Sequence, residues 1–144
     1  MQDSFRILAI DFGQRRIGLA VSDPLGIFAT PLKTISNDRN TLRSIEEVVE
    51  EYQVSRIVVG LPVNLDGSDS DSTRAVRLFI QRLQRVTDIE IVEWDERFTS
   101  KLAEQTLIDM GVGRKKRRQK HRVDMLAAVH LLQSYLQSLS QARK

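Results

Sequence analysis

Apolar residues near the start of the chain alternate with a period of two, the signature of strands with one face turned inward. Ile7 to Phe12 and Ile17 to Ser22 read as strands around a turn centred on Gly13, and Ile27 to Ile35 as a third strand of the same meander. In the second strand Ile17, Leu19 and Val21 share one face while Gly18, Ala20 and Ser22 share the other. That small-residue face admits another element at close range. After Asp38 and Asn40, either able to cap a helix, Leu42, Ile45, Val49 and Tyr52 recur at helical spacing to an end near Gln53. A short apolar strand, Arg56 to Gly60, has the unbroken Ile57, Val58, Val59 run of a strand covered on both faces, and Leu61-Pro62 ends it. A polar loop, Asn64 to Ser72, leads into a second amphipathic helix marked by Ala75, Leu78, Phe79, Arg82, Leu83 and Val86. Ile89 to Trp94 follows as a strand. Thr99 or Ser100 can cap a third helix, stopped by Gly111, and Met125, Ala128, Val129, Leu132, Leu136 and Leu139 form the apolar stripe of a last one.

This order predicts an α/β fold on a mixed five-stranded sheet, its first three strands antiparallel and its later strands parallel, with helices on both faces. In such sheets ligands bind beyond the carboxyl ends of the parallel strands, so polar residues just after strands are the ones to inspect. A chain of 144 residues can bury one sizeable core, and a single domain over residues 1–144 is the expectation. With no cysteine, a disulfide framework, a thiolate zinc site and a cysteine nucleophile are all excluded, and a reducing cytosol is the natural compartment. No apolar run approaches a membrane span and no secretory signal is legible, so a soluble, cytoplasmic protein that avoids membranes is expected.

Charge adds a second theme. Residues 114–122 (RKKRRQKHR) hold seven Lys or Arg and no acid, and without them the formal net charge of +3 becomes −4. A local basic tract on a mildly acidic body is an electrostatic footprint for polyanions such as nucleic acid, although a solvated charge run has the same composition.

Three acidic positions occupy telling places: Asp11 at the end of the first strand, Asp95 or Glu96 just after a later one, and Asp124 in what reads as the first turn of the last helix. Clustered carboxylates are hard oxygen ligands for Mg2+ or Mn2+, and two such ions can activate water and stabilise the leaving oxygen of a phosphodiester. Each acid also has a structural explanation, as a cap or an ion-pair partner, and the choice between Asp95 and Glu96 stays open. Gly13 and Gly18 bracket Gln14-Arg15-Arg16, a turn able to bind phosphate through its backbone N–H groups and its arginines or to be a plain hairpin. His121 and His130 read as a surface group and a helix-face group. The loop containing Asp66, Asp69 and Asp71 lacks the spacing and terminal glutamate of a calcium loop.

The blocks AIDFGQRRIGLAVSD, IVVGLPVNLDGS, DERFTS and KHRVDMLAAVHLLQSYL resemble, in order, those of the bacterial YqgF/RuvX family over nearly the whole chain. The resemblance implies a ribonuclease-H-like fold, a cytoplasmic role in ribosome biogenesis and nuclease activity at the 5′ end of pre-16S ribosomal RNA. Holliday-junction resolution is the alternative activity. Carried over by motif, the active-site acids fall on Asp11, Asp95-Glu96 and Asp124, with Asp11, Glu96 and Asp124 as ligands of Mg2+ or Mn2+. Arg15, Arg16, Arg97, Lys115, Lys116, Arg117 and Arg118 are the expected contacts to structured RNA or branched DNA. Resolvases of the RuvC type carry two acids three residues apart on the last helix, whereas the second position here is Ala127. That departure weakens the junction reading, and a monomer and a homodimer are both compatible with the sequence. An actin-like ATPase also starts with an aspartate and a glycine turn but closes two lobes around its nucleotide, and this chain has one. A non-catalytic RNA-binding module of the same fold is the remaining alternative.

Overall fold

The computed structural model describes residues 5–64, 66–96 and 120–142, the first five of the last stretch by their backbone. Strands β1 (Arg6–Phe12), β2 (Arg16–Ser22) and β3 (Ala29–Ser36) precede helix α1 (Thr41–Glu51). Strand β4 (Val54–Leu61), helix α2 (Asp71–Gln84), strand β5 (Glu90–Asp95) and helix α3 (Lys120–Ala142) follow. The five strands lie in the order β3-β2-β1-β4-β5. The pairs β1–β2 and β2–β3 are antiparallel, and β1–β4 and β4–β5 are parallel. This is the expected mixed sheet, with β1 between an antiparallel and a parallel neighbour.

Helices cover both faces. Leu8, Ile10, Ile17, Leu19, Ile57 and Val59 turn to one side and pack with Ile45 and Val48 of α1 and Val76, Phe79, Ile80 and Leu83 of α2. Ile7, Ala9, Ala20 and Val58 turn to the other, where Ala128, Leu131, Leu132, Tyr135 and Leu136 of α3 cover them. The small face of β2 does receive an element: Ala9, Ala20 and Ala128 are all fully buried where helix and sheet meet. The Ile57, Val58, Val59 run of β4 is completely buried because both its faces are covered, as the unbroken run predicted.

Three element starts differ from the sequence pattern, each for a local reason. β3 begins at Ala29 rather than Ile27, because the Asp23 carboxylate accepts the N–H groups of Leu25, Ile27 and Phe28 and holds them in a turn. Such side-chain bonds compete with strand pairing. α2 begins at Asp71, inside the stretch read as loop, because Ser70 and Thr73 form a reciprocal capping box whose polar first turn carries no apolar period. α3 starts at Lys120, within the basic tract, where Lys and Arg are good helix formers. Asp124 therefore lies beyond the first turn of its helix, not within it, and neither capping nor the helix dipole accounts for it. The helix expected between Thr99 or Ser100 and Gly111 falls outside the described residues. Among the described residues no helix is long and apolar enough to cross a membrane.

Candidate active site

Alternation along β1 decides which way Asp11 faces. Phe12 packs against Phe79 of α2 with ring centroids 4.7 Å apart, so its neighbour Asp11 is on the opposite, α3-covered face. Directly across β2, Asp11 pairs with Gly18. On the other side β4 runs parallel with Ile10 level with Val59, which sets Gly60 beside Asp11 on the same face. Asp11, one residue before the end of its strand, thus lies between two residues without side chains.

The two adjacent acids lie at the carboxyl end of β5 and just beyond it. Trp94 meets Tyr135 of α3 edge-on at 5.4 Å between ring centroids, and its Nε1–H donates to Ser134 Oγ at 3.3 Å, so it points to the α3 face. Asp95, level with Leu61 of β4, is the next residue along, and Glu96 follows one residue beyond the strand. Glu96 shares a hydrogen bond with Asp11. A bond between two carboxyl groups requires one proton, donated by one O–H to the other's oxygen. Burial pushes the Glu96 carboxyl above the usual carboxylate range; the Asp11 bond draws it partly back, and the negative charge of Asp95 raises it again. The sheet has thus drawn together two acids distant in sequence at the carboxyl end of its parallel strands.

Gly60 explains how they fit. A Cβ built on it would lie 2.6 Å from Glu96 Oε1. Sequence reasoning passed over this glycine; its one signal was its place at the end of an apolar strand run. It also passed over Asn37, whose side-chain amide donates to Gly13 O at 2.7 Å while its backbone N–H donates to Arg15 O at 2.9 Å. Those bonds clamp the β1–β2 turn to the end of β3. Gly13 allows the turn itself, since a Cβ there would overlap the Arg16 carbonyl oxygen. Arg15 is exposed on the turn and Arg16 half-buried at the start of β2, both close to the end of β1 that carries Asp11.

Position 124 falls on α3 four residues before Ala128, hence on the helix face that meets the sheet. Among the described residues, His, Cys, Asp and Glu side chains do not gather in groups of three or more that could hold a metal ion. Arg97, Lys115, Lys116, Arg117 and Arg118 lie outside the described residues. His130 is half-buried on α3, and its Nε2 has no hydrogen-bond partner among the described residues. The loop acids are engaged locally: Asp66 Oδ1 accepts from Ser68 N at 2.9 Å, Asp69 pairs with Arg77, and Asp71 pairs with Arg74.

Residues 5–138 match the family described as RuvX: Holliday junction resolvase. A protein of Sulfurihydrogenibium sp. named "Putative pre-16S rRNA nuclease" is 45% identical over 137 residues, covering 94% of this chain and 92% of that one. An identically named protein of Acetivibrio thermocellus is 46% identical over 137 residues, covering 92% and 96% respectively. Among solved structures, T. thermophilus RuvC in complex with Holliday junction substrate aligns with a TM-score of 0.61 at 13% identity, over 94% of this chain and 97% of that chain. Fowlpox virus resolvase with its substrate Holliday junction DNA aligns with a TM-score of 0.59 at 14% identity, over 94% and 99%. At such identities the likeness is one of fold, and it identifies the mixed sheet as ribonuclease-H-like. With the family matched over most of its length and close relatives named as nucleases, the chain belongs to the RuvX family of phosphodiester-hydrolysing nucleases.

Proposed function

We propose that this chain, as a single ribonuclease-H-like domain over residues 1–144, trims the 5′ end of pre-16S ribosomal RNA by divalent-metal-dependent phosphodiester hydrolysis in the cytoplasm. The observation that carries the reading is the hydrogen-bonded pair of Asp11, in β1 just before its last residue Phe12, and Glu96, just past the end of β5.

The donor set suits Mg2+ or Mn2+. Two half-buried carboxyl groups set side by side are short of positive charge, and their oxygens are the hard ligands that such ions prefer. Asp11 and Glu96 would hold the ion, with Asp124 as the third acid, because its position lies on the helix face turned to the sheet. When bound, the ion supplies Lewis-acid charge at the scissile phosphate and makes water a better nucleophile. Asp95 acts through its charge, raising the proton affinity of Glu96. Arg15 and Arg16, on a turn held by Asn37, would neutralise phosphates close to the acids. Lys115, Lys116, Arg117 and Arg118 would grip the RNA backbone further out, and Arg97, directly after Glu96, would meet the strand near the point of cleavage.

Resolution of four-way DNA junctions is the second reading, favoured by the family description. Against it stands Ala127, half-buried on α3 where RuvC-type enzymes carry a further acid. One experiment separates the two: cleavage of a pre-16S fragment and of a four-way DNA junction under the same Mn2+ concentration, with wild type and Asp11→Asn. The RNA is expected to be cut, and the variant to lose at least about 100-fold, since a ligand-bearing carboxylate contributes several kcal/mol to such a transition state. Equal background from both proteins on both substrates would leave a binding module.

A further inference from the structure

We propose that Gly60 is a positioning residue, whose missing side chain is the space that lets the Glu96 carboxyl lie beside Asp11. This rests on the reading of Asp11 and Glu96 as the metal-holding pair and deepens it.

Gly60 sits in β4, paired with Trp94 of β5, immediately after Ile57, Val58 and Val59, which are completely buried. A glycine weakens a strand there, so its presence needs a reason. Conformation does not provide one: the described glycines with positive φ are Gly26 and Gly67, and the backbone at Gly60 suits any residue. Close approach does. A Cβ on Gly60 would stand 2.6 Å from Oε1, 3.0 Å from Cγ and 3.2 Å from Cδ of Glu96, the first far inside van der Waals contact.

The mobile partner in that clash is Glu96. Gly60 is held in the middle of the sheet between β1 and β5, whereas Glu96 lies past the end of β5 on a side chain with three rotatable bonds. A methyl group at Gly60 is therefore accommodated by the carboxyl swinging away from Asp11, leaving the sheet intact. Gly60 acts only through Glu96 and touches neither metal nor substrate.

The test measures Mn2+ binding by titration calorimetry, precursor-RNA cleavage and thermal midpoint for Gly60→Ala, Glu96→Gln, Glu96→Asp and the double variant Gly60→Ala/Glu96→Asp. Gly60→Ala is expected to keep a midpoint near wild type, to lose about 10- to 100-fold in Mn2+ affinity, the usual effect of disturbing a ligand's support, and to lower kcat with KM for RNA unchanged. Glu96→Asp, one methylene shorter, withdraws from the added methyl, so the double variant binds Mn2+ more tightly than Gly60→Ala. Wild-type binding and cleavage by Gly60→Ala, with both lost in Glu96→Gln, would overturn the role of Gly60 and leave the pair intact. Unimpaired Glu96→Gln would instead overturn the metal-site reading. If Gly60→Ala fails to fold, Gly60→Ala/Glu96→Ala decides: recovery of folding assigns the clash to Glu96, and continued failure makes Gly60 a packing residue and overturns the proposal.

Discussion

Asp95 and Glu96 are adjacent carboxyl groups, yet their surroundings differ. Glu96 is bonded to Asp11 and desolvated, while Asp95, level with Leu61 at the end of the sheet, acts on it through space. Replacing Glu96 with Gln should therefore abolish metal-dependent cleavage, whereas Asp95→Asn should retain it within about tenfold, because it removes a charge that acts on Glu96 and not a carboxyl group of the proposed metal-holding pair. Steady-state cleavage rates across a Mn2+ titration check this, and a larger loss for Asp95→Asn would reverse the assignment. His130 makes a prediction of a different kind. Burial lowers its pKa from the ordinary 6.5, so below that pH the unfolded chain binds a proton that the folded one resists. Its stabilising contribution is complete above about pH 6.5 and is lost as pH falls through the lowered folded value. Thermal midpoints measured from pH 7.5 to 5 should fall more steeply for wild type than for His130→Leu; parallel curves would refute the shift. Asp23 acts in the same sense at lower pH. Slight burial raises its pKa, the backbone N–H groups of Phe28, Ile27 and Leu25 outweigh that, and the net lowering costs stability only as pH drops below the ordinary aspartate value of 3.8.

Elements were most legible where both periodicity and a local stop signal were present. β1, β2 and β4 begin and end within a residue or two of their apolar patterns, and α1 ends before Gln53, a residue with positive φ. Where a start depends on side chains bonding to nearby backbone, the apolar pattern is silent. Ser70 and Thr73 are such a case, capping α2 at Asp71, four residues before its first apolar position at Ala75. Thr73 is also fully buried and donates from its hydroxyl to Pro62 O, tying the helix start to the chain just past β4. Ser70→Ala should cost about 1 kcal/mol of stability, the usual value of an N-cap, without affecting cleavage. Urea unfolding measures it, and an unchanged midpoint would mean that Thr73 alone organises this helix start.

For the whole molecule, charge and topology divide the work. The body carries the carboxyl pair, whereas the excess of positive charge resides in residues 114–122. If these contact the RNA backbone, neutralising Lys115, Lys116, Arg117 and Arg118 should flatten the dependence of log affinity on log salt by up to about 3 for a single strand, with little change in the rate of cleavage once RNA is bound. An unaltered salt slope would make the tract a bystander.

By itself the sequence determined the strand and helix types, the antiparallel start and the α/β class, because these follow from periods of two and 3.6 and from short-range turn chemistry. Its motif blocks also determined the family, and with it Asp11, the Asp95-Glu96 pair and Asp124 as the acids worth inspecting. Only the tertiary structure decided that Glu96 rather than Asp95 meets Asp11, and that a glycine on β4 leaves the space for it. Both depend on the parallel register of β1, β4 and β5, which brings residues far apart in the chain to one row of the sheet. A local pattern carries no record of that register, since it is set by how buried side chains from all three strands fit beneath the helices.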